Sequence, residues 1–195
     1  MTRGRLEAFS DGVIAIIITI MVLELRPPEE ASFEALRALT PKLLSYVMSF
    51  VFIGIYWNNH HHLMHAVQRV SGGVLWANMH LLFWLSLTPF VTAWMGEHDA
   101  APVTVAAYGG VLLLAAIAYF ILTRALLAIH ASDSPLAVAL GSDFKGKISV
   151  LAYVAAIPFA FVQKWVSIGV YIAITILWLV PDRRVERTLE QTHRK

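Results

Sequence analysis

Gly12-Val13-Ile14-Ala15-Ile16-Ile17-Ile18-Thr19-Ile20-Met21-Val22-Leu23 carries one hydroxyl and no charge, and it ends at Glu24-Leu25-Arg26-Pro27-Pro28. Counted from Leu6 to Leu25, the stretch supplies the roughly 20 mostly apolar residues that a helix needs to cross a bilayer. Arg3 and Arg5 ahead of it imitate the basic start of a secretory leader, but Glu7 and Asp11 interrupt the transition and no small-x-small cleavage site follows. The stretch therefore reads as a membrane helix, and the remainder of the chain can be read from it.

Five more segments approach spanning length, giving expected spans at about 6–25, 43–65, 74–95, 103–129, 148–162 and 165–180. Gln163-Lys164 is the polar break between the last two. The other breaks carry turn chemistry: Pro27-Pro28, Ser71-Gly72-Gly73, Gly96-Glu97-His98-Asp99, and Ser132-Asp133-Ser134-Pro135 with Gly141-Ser142-Asp143. Phe33, Leu36 and Leu39 sit at helical spacing among charges, which fits a short interfacial helix. Residues 182–195 form a charged tail. The expected fold is an all-α membrane protein of six transmembrane helices in one domain, residues 1–195. Its composition agrees, with 58% hydrophobic against 14% charged residues in 195, an excess that lipid has to solvate. Cys is absent, so neither disulfides nor thiolate metal sites contribute.

Lys and Arg set the orientation. With the N-terminus inside, the inner segments hold Arg3, Arg5, Arg69, Arg124, Lys145, Lys147, Arg183, Arg184, Arg187, Arg194 and Lys195, and the outer ones hold Arg26, Arg37, Lys42 and Lys164. Both termini are expected in the cytoplasm, which requires an even number of spans. No basic stripe with interleaved aromatics suggests nucleic acid. Gly141 to Lys147 matches G-x-x-x-x-G-K, but Ile148 stands where a phosphate site needs Ser or Thr and no strand precedes it, so no nucleotide is expected.

Ionisable groups in a membrane helix call for partners, since each costs about 2.5–3.5 kcal/mol on insertion scales. Arg5, Ser10 and Asp11 open the first span. Six residues along a helix leave Arg5 and Asp11 about 120° apart, so they look to neighbouring helices rather than to each other. Ile16, Thr19, Ile20 and Leu23 share an arc of about 100°. Such a stripe fits lipid or core packing, or a hydrophobic constriction that gates ions by dewetting. The second span ends in Trp57-Asn58-Asn59-His60-His61-His62-Leu63-Met64-His65, and His80 lies in the third. His61 and His65 have the spacing of zinc ligands, but no carboxylate is placed nearby in sequence as a further ligand. The reading is a proton-sensing or hydrogen-bonding cluster near the cytoplasmic interface, partly structural and without structural metal.

Arg5-Leu6-Glu7-Ala8-Phe9-Ser10-Asp11 reads R-x-x-x-F-S-D at the start of a first membrane helix. It resembles the signature of the transmembrane protein 175 family of potassium channels. Trp57-x-x-His60-His61, and Asn78 with Pro89 eleven residues on, resemble the family's W-x-x-H-H and N-to-P patterns. These motifs cover the first half of the chain, and the second half agrees in hydropathy and span count. The resemblance implies a homotetramer whose first helices line a central pore, without the T-V-G-Y-G filter. Carried over by position, Ile16 matches the narrowest pore position, Thr19 a hydroxyl layer, and Leu23 a further constriction, with Ile20 on the same face. Arg5, Phe9, Ser10 and Asp11 would join a network with His60 or His61, Trp57 and Asn78. Three consecutive histidines depart from the pattern and leave open which one joins.

The expected function is a weakly potassium-selective, passive cation channel in a bacterial-type plasma membrane. Its partners would be its own copies, lipid, and potassium ions passing near Ile16 and Thr19, with no cofactor and no catalytic residue. Its rivals are a proton-coupled transporter relaying through Asp11 and the histidines, a histidine-box metalloenzyme using His60 to His65 and His80, and a non-conducting assembly protein.

Overall fold

The computed structural model describes residues 2–131, 134, 136, 137 and 144–179. The tail at 182–195 and the loop at 141–143 lie outside them. Helix α1 (Arg3–Leu23) has no Gly or Pro after Gly12, and it stops ahead of Pro27-Pro28, which cannot donate to a continuing helix. Short α2 (Phe33–Ala38) follows, with the Ser32 hydroxyl accepting from Ala35 N–H. Helix α3 (Thr40–Ala66) carries Pro41 in its first turn, where a missing N–H costs nothing.

Ser71 caps α4 (Gly72–Ser86), and α5 (Thr88–Glu97) continues its direction. A turn at Leu87 separates the two helices inside the segment 74–95 that the sequence suggests as a span. Pro89 is the cause, because its ring removes an N–H and crowds the preceding turn. Helix α6 (Pro102–Leu127) begins on another proline. Helices α7 (Phe144–Phe159) and α8 (Lys164–Leu179) are separated by a turn at 160–163.

All the described secondary structure is helical. Among the described residues, Arg3–Leu23, Gly72–Glu97 and Pro102–Leu127 are long and apolar enough to cross a membrane. Helix α3 is longer than any of these. At 16 residues each, α7 and α8 reach about 24 Å, short of a hydrocarbon core of about 30 Å.

The contacts show how the helices alternate. At one end of the bundle Lys42 Nζ meets Glu97 Oε1 at 3.1 Å, and Lys164 Nζ donates to the Asp99 carbonyl at 2.8 Å. At the other end Arg3 donates to the His65 carbonyl at 3.3 Å, the Gln68 N–H donates to His130 Nε2 at 3.1 Å, and Lys145 Nζ reaches the Leu177 carbonyl at 3.5 Å. The first and last described helices thus start and finish at the same end.

The core runs between them, with Ile14, Ile53, Met64, Leu81, Leu85, Leu112, Leu122 and Tyr171 essentially inaccessible. Close approach needs glycine at two points. A Cβ on Gly96 would stand 2.9 Å from the Lys42 Cα, and one on Gly109 would collide with the Tyr171 hydroxyl. These contacts fix α5 against α3 and α6 against α8, which leaves α1 to be held from one side.

Candidate functional site

Helix α1 is held by one face. Leu6, Ser10, Ile14, Ile17 and Met21 are buried, a spacing of three or four residues that draws a single stripe toward α3, α4 and α5. The opposite stripe is left open among the described residues. Ile16 is 58% exposed and Leu23 76%, with Phe9 and Ile20 also exposed, and a side chain added at Gly12 would meet nothing. Thr19 lies on this open face, and its hydroxyl donates to the Ile16 carbonyl at 2.8 Å. With its proton committed to the backbone, the oxygen has only lone pairs to offer outward, so it is an acceptor on an aliphatic surface.

A relay of hydrogen bonds sets which face turns in. His60 Nε2 lies 2.8 Å from Asn78 Oδ1, Asn78 Nδ2 donates to Ser10 Oγ at 2.9 Å, and Ser10 Oγ–H donates to the Leu6 carbonyl at 2.9 Å. As Asn78 Nδ2 is a donor, its Oδ1 is the acceptor, so His60 carries its proton on Nε2. The ring's Nδ1 has no partner among the described residues. All three side chains are buried to within 1% of complete. Each comes from a different helix, so the relay ties α1 to α4 and α4 to α3.

A second tie lies nearer the surface, where Trp57 Nε1–H donates to Asp11 Oδ1 at 3.0 Å. The structure thus brings Ser10, Asp11, Trp57, His60 and Asn78 together within the single chain. Arg5 and Phe9 stand outside the network, both exposed. They lie about 40° apart on the helix, on the same side as Ile16. Of the consecutive histidines, His60 joins the relay, and His61 stacks on Trp57 with ring centroids 5.8 Å apart. His80 accepts from Trp84 Nε1 at 2.8 Å on its own helix.

A hydroxyl cluster escaped sequence reasoning. Ser49 Oγ of α3 lies 2.6 Å from Thr92 Oγ1 of α5 and 3.0 Å from Tyr108 Oη of α6. The signal was there as Ser45/Ser49 and Thr88/Thr92, hydroxyl pairs four residues apart inside apolar helices. Such pairs bond their own backbone and glue neighbouring helices.

The chain can be compared with known proteins on this geometry. A family model described as endosomal/lysosomal potassium channel TMEM175 matches residues 5–89, the part that holds α1, the relay and Pro89. A potassium channel of Chryseobacterium sp. (strain P1-3) is 50% identical over 191 residues, covering 98% of this chain and 100% of the relative. The human endosomal/lysosomal proton channel TMEM175 is 32% identical over 83 residues, 36% of this chain and 16% of that protein. The crystal structure of a lysosomal potassium-selective channel TMEM175 homolog from Chamaesiphon minutus superposes with a TM-score of 0.79 at 31% identity, covering 91% of this chain and 96% of that one. Near-complete coverage at half identity, together with the shared fold, decides the matter: the chain belongs to the TMEM175 family of ion channels.

Proposed function

We propose that the protein is a passive potassium channel, assembled from four copies with α1 lining a central pore. The observation that carries this reading is the open face of α1. Ile16, Ile20 and Leu23 are exposed among the described residues, while the reverse face is fastened by hydrogen bonds that lipid could not supply. Four such faces around an axis make an apolar constriction that holds back water and hydrated ions. The acceptor oxygens of Thr19 would meet a partly dehydrated potassium ion beside Ile16. The name potassium channel on the full-length relative supports the choice of ion.

The same reading has six passes: α1, α3, the α4–α5 pair, α6, α7 and α8. Both termini lie in the cytoplasm and the channel sits in the plasma membrane. The alternation of helix ends and the excess of Lys and Arg on one side support that orientation.

Flux through reconstituted liposomes tests the proposal, with potassium, sodium and proton gradients compared. Potassium uptake should exceed sodium uptake, and Ile16→Asn should raise total flux and narrow the gap. Unchanged permeation in Ile16→Asn contradicts the assignment of α1. The proton arm matters because the human relative is named a proton channel, and proton flux without potassium flux would contradict the choice of ion.

A further inference from the structure

Glu7, in the second turn of α1, meets the last two turns of α3 at a cluster that the proposed potassium pathway does not use. Glu7 Oε1 lies 3.2 Å from His61 Nδ1 and 3.6 Å from His65 Nδ1. One ligand atom from each residue falls within 4.8 Å of the others. The two imidazoles are one turn apart with centroids 4.3 Å apart, and the carboxylate comes from another helix, which is why reading along the sequence found none. We propose that Glu7, His61 and His65 form a binding site for a divalent transition-metal ion that clamps α1 to α3.

Three features of the cluster fit such an ion. Ligands at about 2.0–2.1 Å in a tetrahedron stand about 3.3 Å from one another, close to the two Glu7–His separations. The donor set of two nitrogens and one oxygen suits zinc, cobalt or nickel and disfavours calcium and magnesium, which take oxygen. Access is open, with the Glu7 side chain 16% exposed and those of His61 and His65 at 38% and 42%, so water can complete the coordination.

The surroundings are compatible. Arg3 is turned to the His65 and Val67 carbonyls at the end of α3. His65 Nδ1 also faces the His61 carbonyl at 3.2 Å, so an ion bound there needs the ring proton on Nε2, which leaves the Nδ1 lone pair for the metal. If α1 lines the pore as proposed above, an ion here stiffens the base of the pore helix. The binding test below does not depend on conduction.

The experiment is zinc calorimetry and cobalt absorption on the full chain in detergent, stripped of metal and carrying no polyhistidine tag. One zinc per chain is expected, with visible cobalt bands of a tetrahedral site. Glu7→Gln and His65→Gln should each weaken affinity at least about 100-fold, more than the loss of a supporting outer contact costs, and His98→Gln at the far end of the bundle should change nothing. His65→Gln alters an exposed side chain, so a normal gel-filtration profile keeps the test valid even if Glu7→Gln misassembles. No zinc uptake, or uptake that survives His65→Gln, overturns the site and reduces the cluster to an ion pair.

Discussion

The two faces of α1 are made of nearly the same residues and do opposite things. Ile14, Ile17 and Met21 vanish into the bundle, while Ile16, Ile20 and Leu23 point away from it. Hydrophobicity does not choose between them, because lipid is as apolar as a protein core and gains nothing from swapping one for the other. The choice is made by Ser10 and Asp11. A buried hydroxyl and a carboxylate need partners, Asn78 and Trp57 provide them, and the aliphatic residues follow the rotation those bonds impose. In a membrane protein a few polar atoms can orient a helix whose apolar residues are indifferent.

The largest effect should come from removing the centre of the relay. Asn78→Leu strands His60, whose Nδ1 already has no partner among the described residues, and frees Ser10 from α4. An orphaned buried donor costs about 1–3 kcal/mol, so a clear fall in the thermal midpoint in detergent is expected, with loss of flux as α1 turns. An unchanged midpoint would mean that the aliphatic residues orient the helix by themselves.

Next comes the inward face. Ile17→Ala should cost about 1–2 kcal/mol, the packing part of a cavity penalty that reaches 2–5 kcal/mol in water-soluble cores. Ion preference should stay as it was in flux assays. Gly96→Ala should cost about 1 kcal/mol, within the range for overpacking, because its new methyl meets the α3 backbone at Lys42. The smallest change in stability, within about 0.5 kcal/mol, should come from Ile16→Ala. That variant should alter potassium flux most for the stability it loses, and equal effects of Ile16→Ala and Ile17→Ala on both readouts would erase the difference between the faces.

Much of this was legible in the sequence. Apolar runs, prolines and glycine turns marked the helices, and the need of Asp11 for a partner on another helix followed from helix geometry, while Arg5, for which the same geometry suggested a partner, stands exposed outside the network. Contacts that no spacing encodes were not legible. The approach of Glu7 to His61 and His65 joins residues more than fifty positions apart, and in the Ser49–Thr92–Tyr108 cluster the spacing marked the hydroxyl pairs but not which helices they join. The break at Leu87 was legible in principle, since Pro89 was in view, but an apolar run of spanning length masks a proline inside it.

The chain contains no cysteine, which makes the central claim directly measurable. A single Ile16→Cys variant, reconstituted and exposed to cadmium, places up to four thiolates around one axis if α1 lines the pore. Potassium flux should then be blocked by cadmium concentrations that leave the wild-type chain and an outward-facing Phe83→Cys control conducting. Flux through Ile16→Cys that cadmium does not touch would place the open face of α1 against lipid and contradict the account.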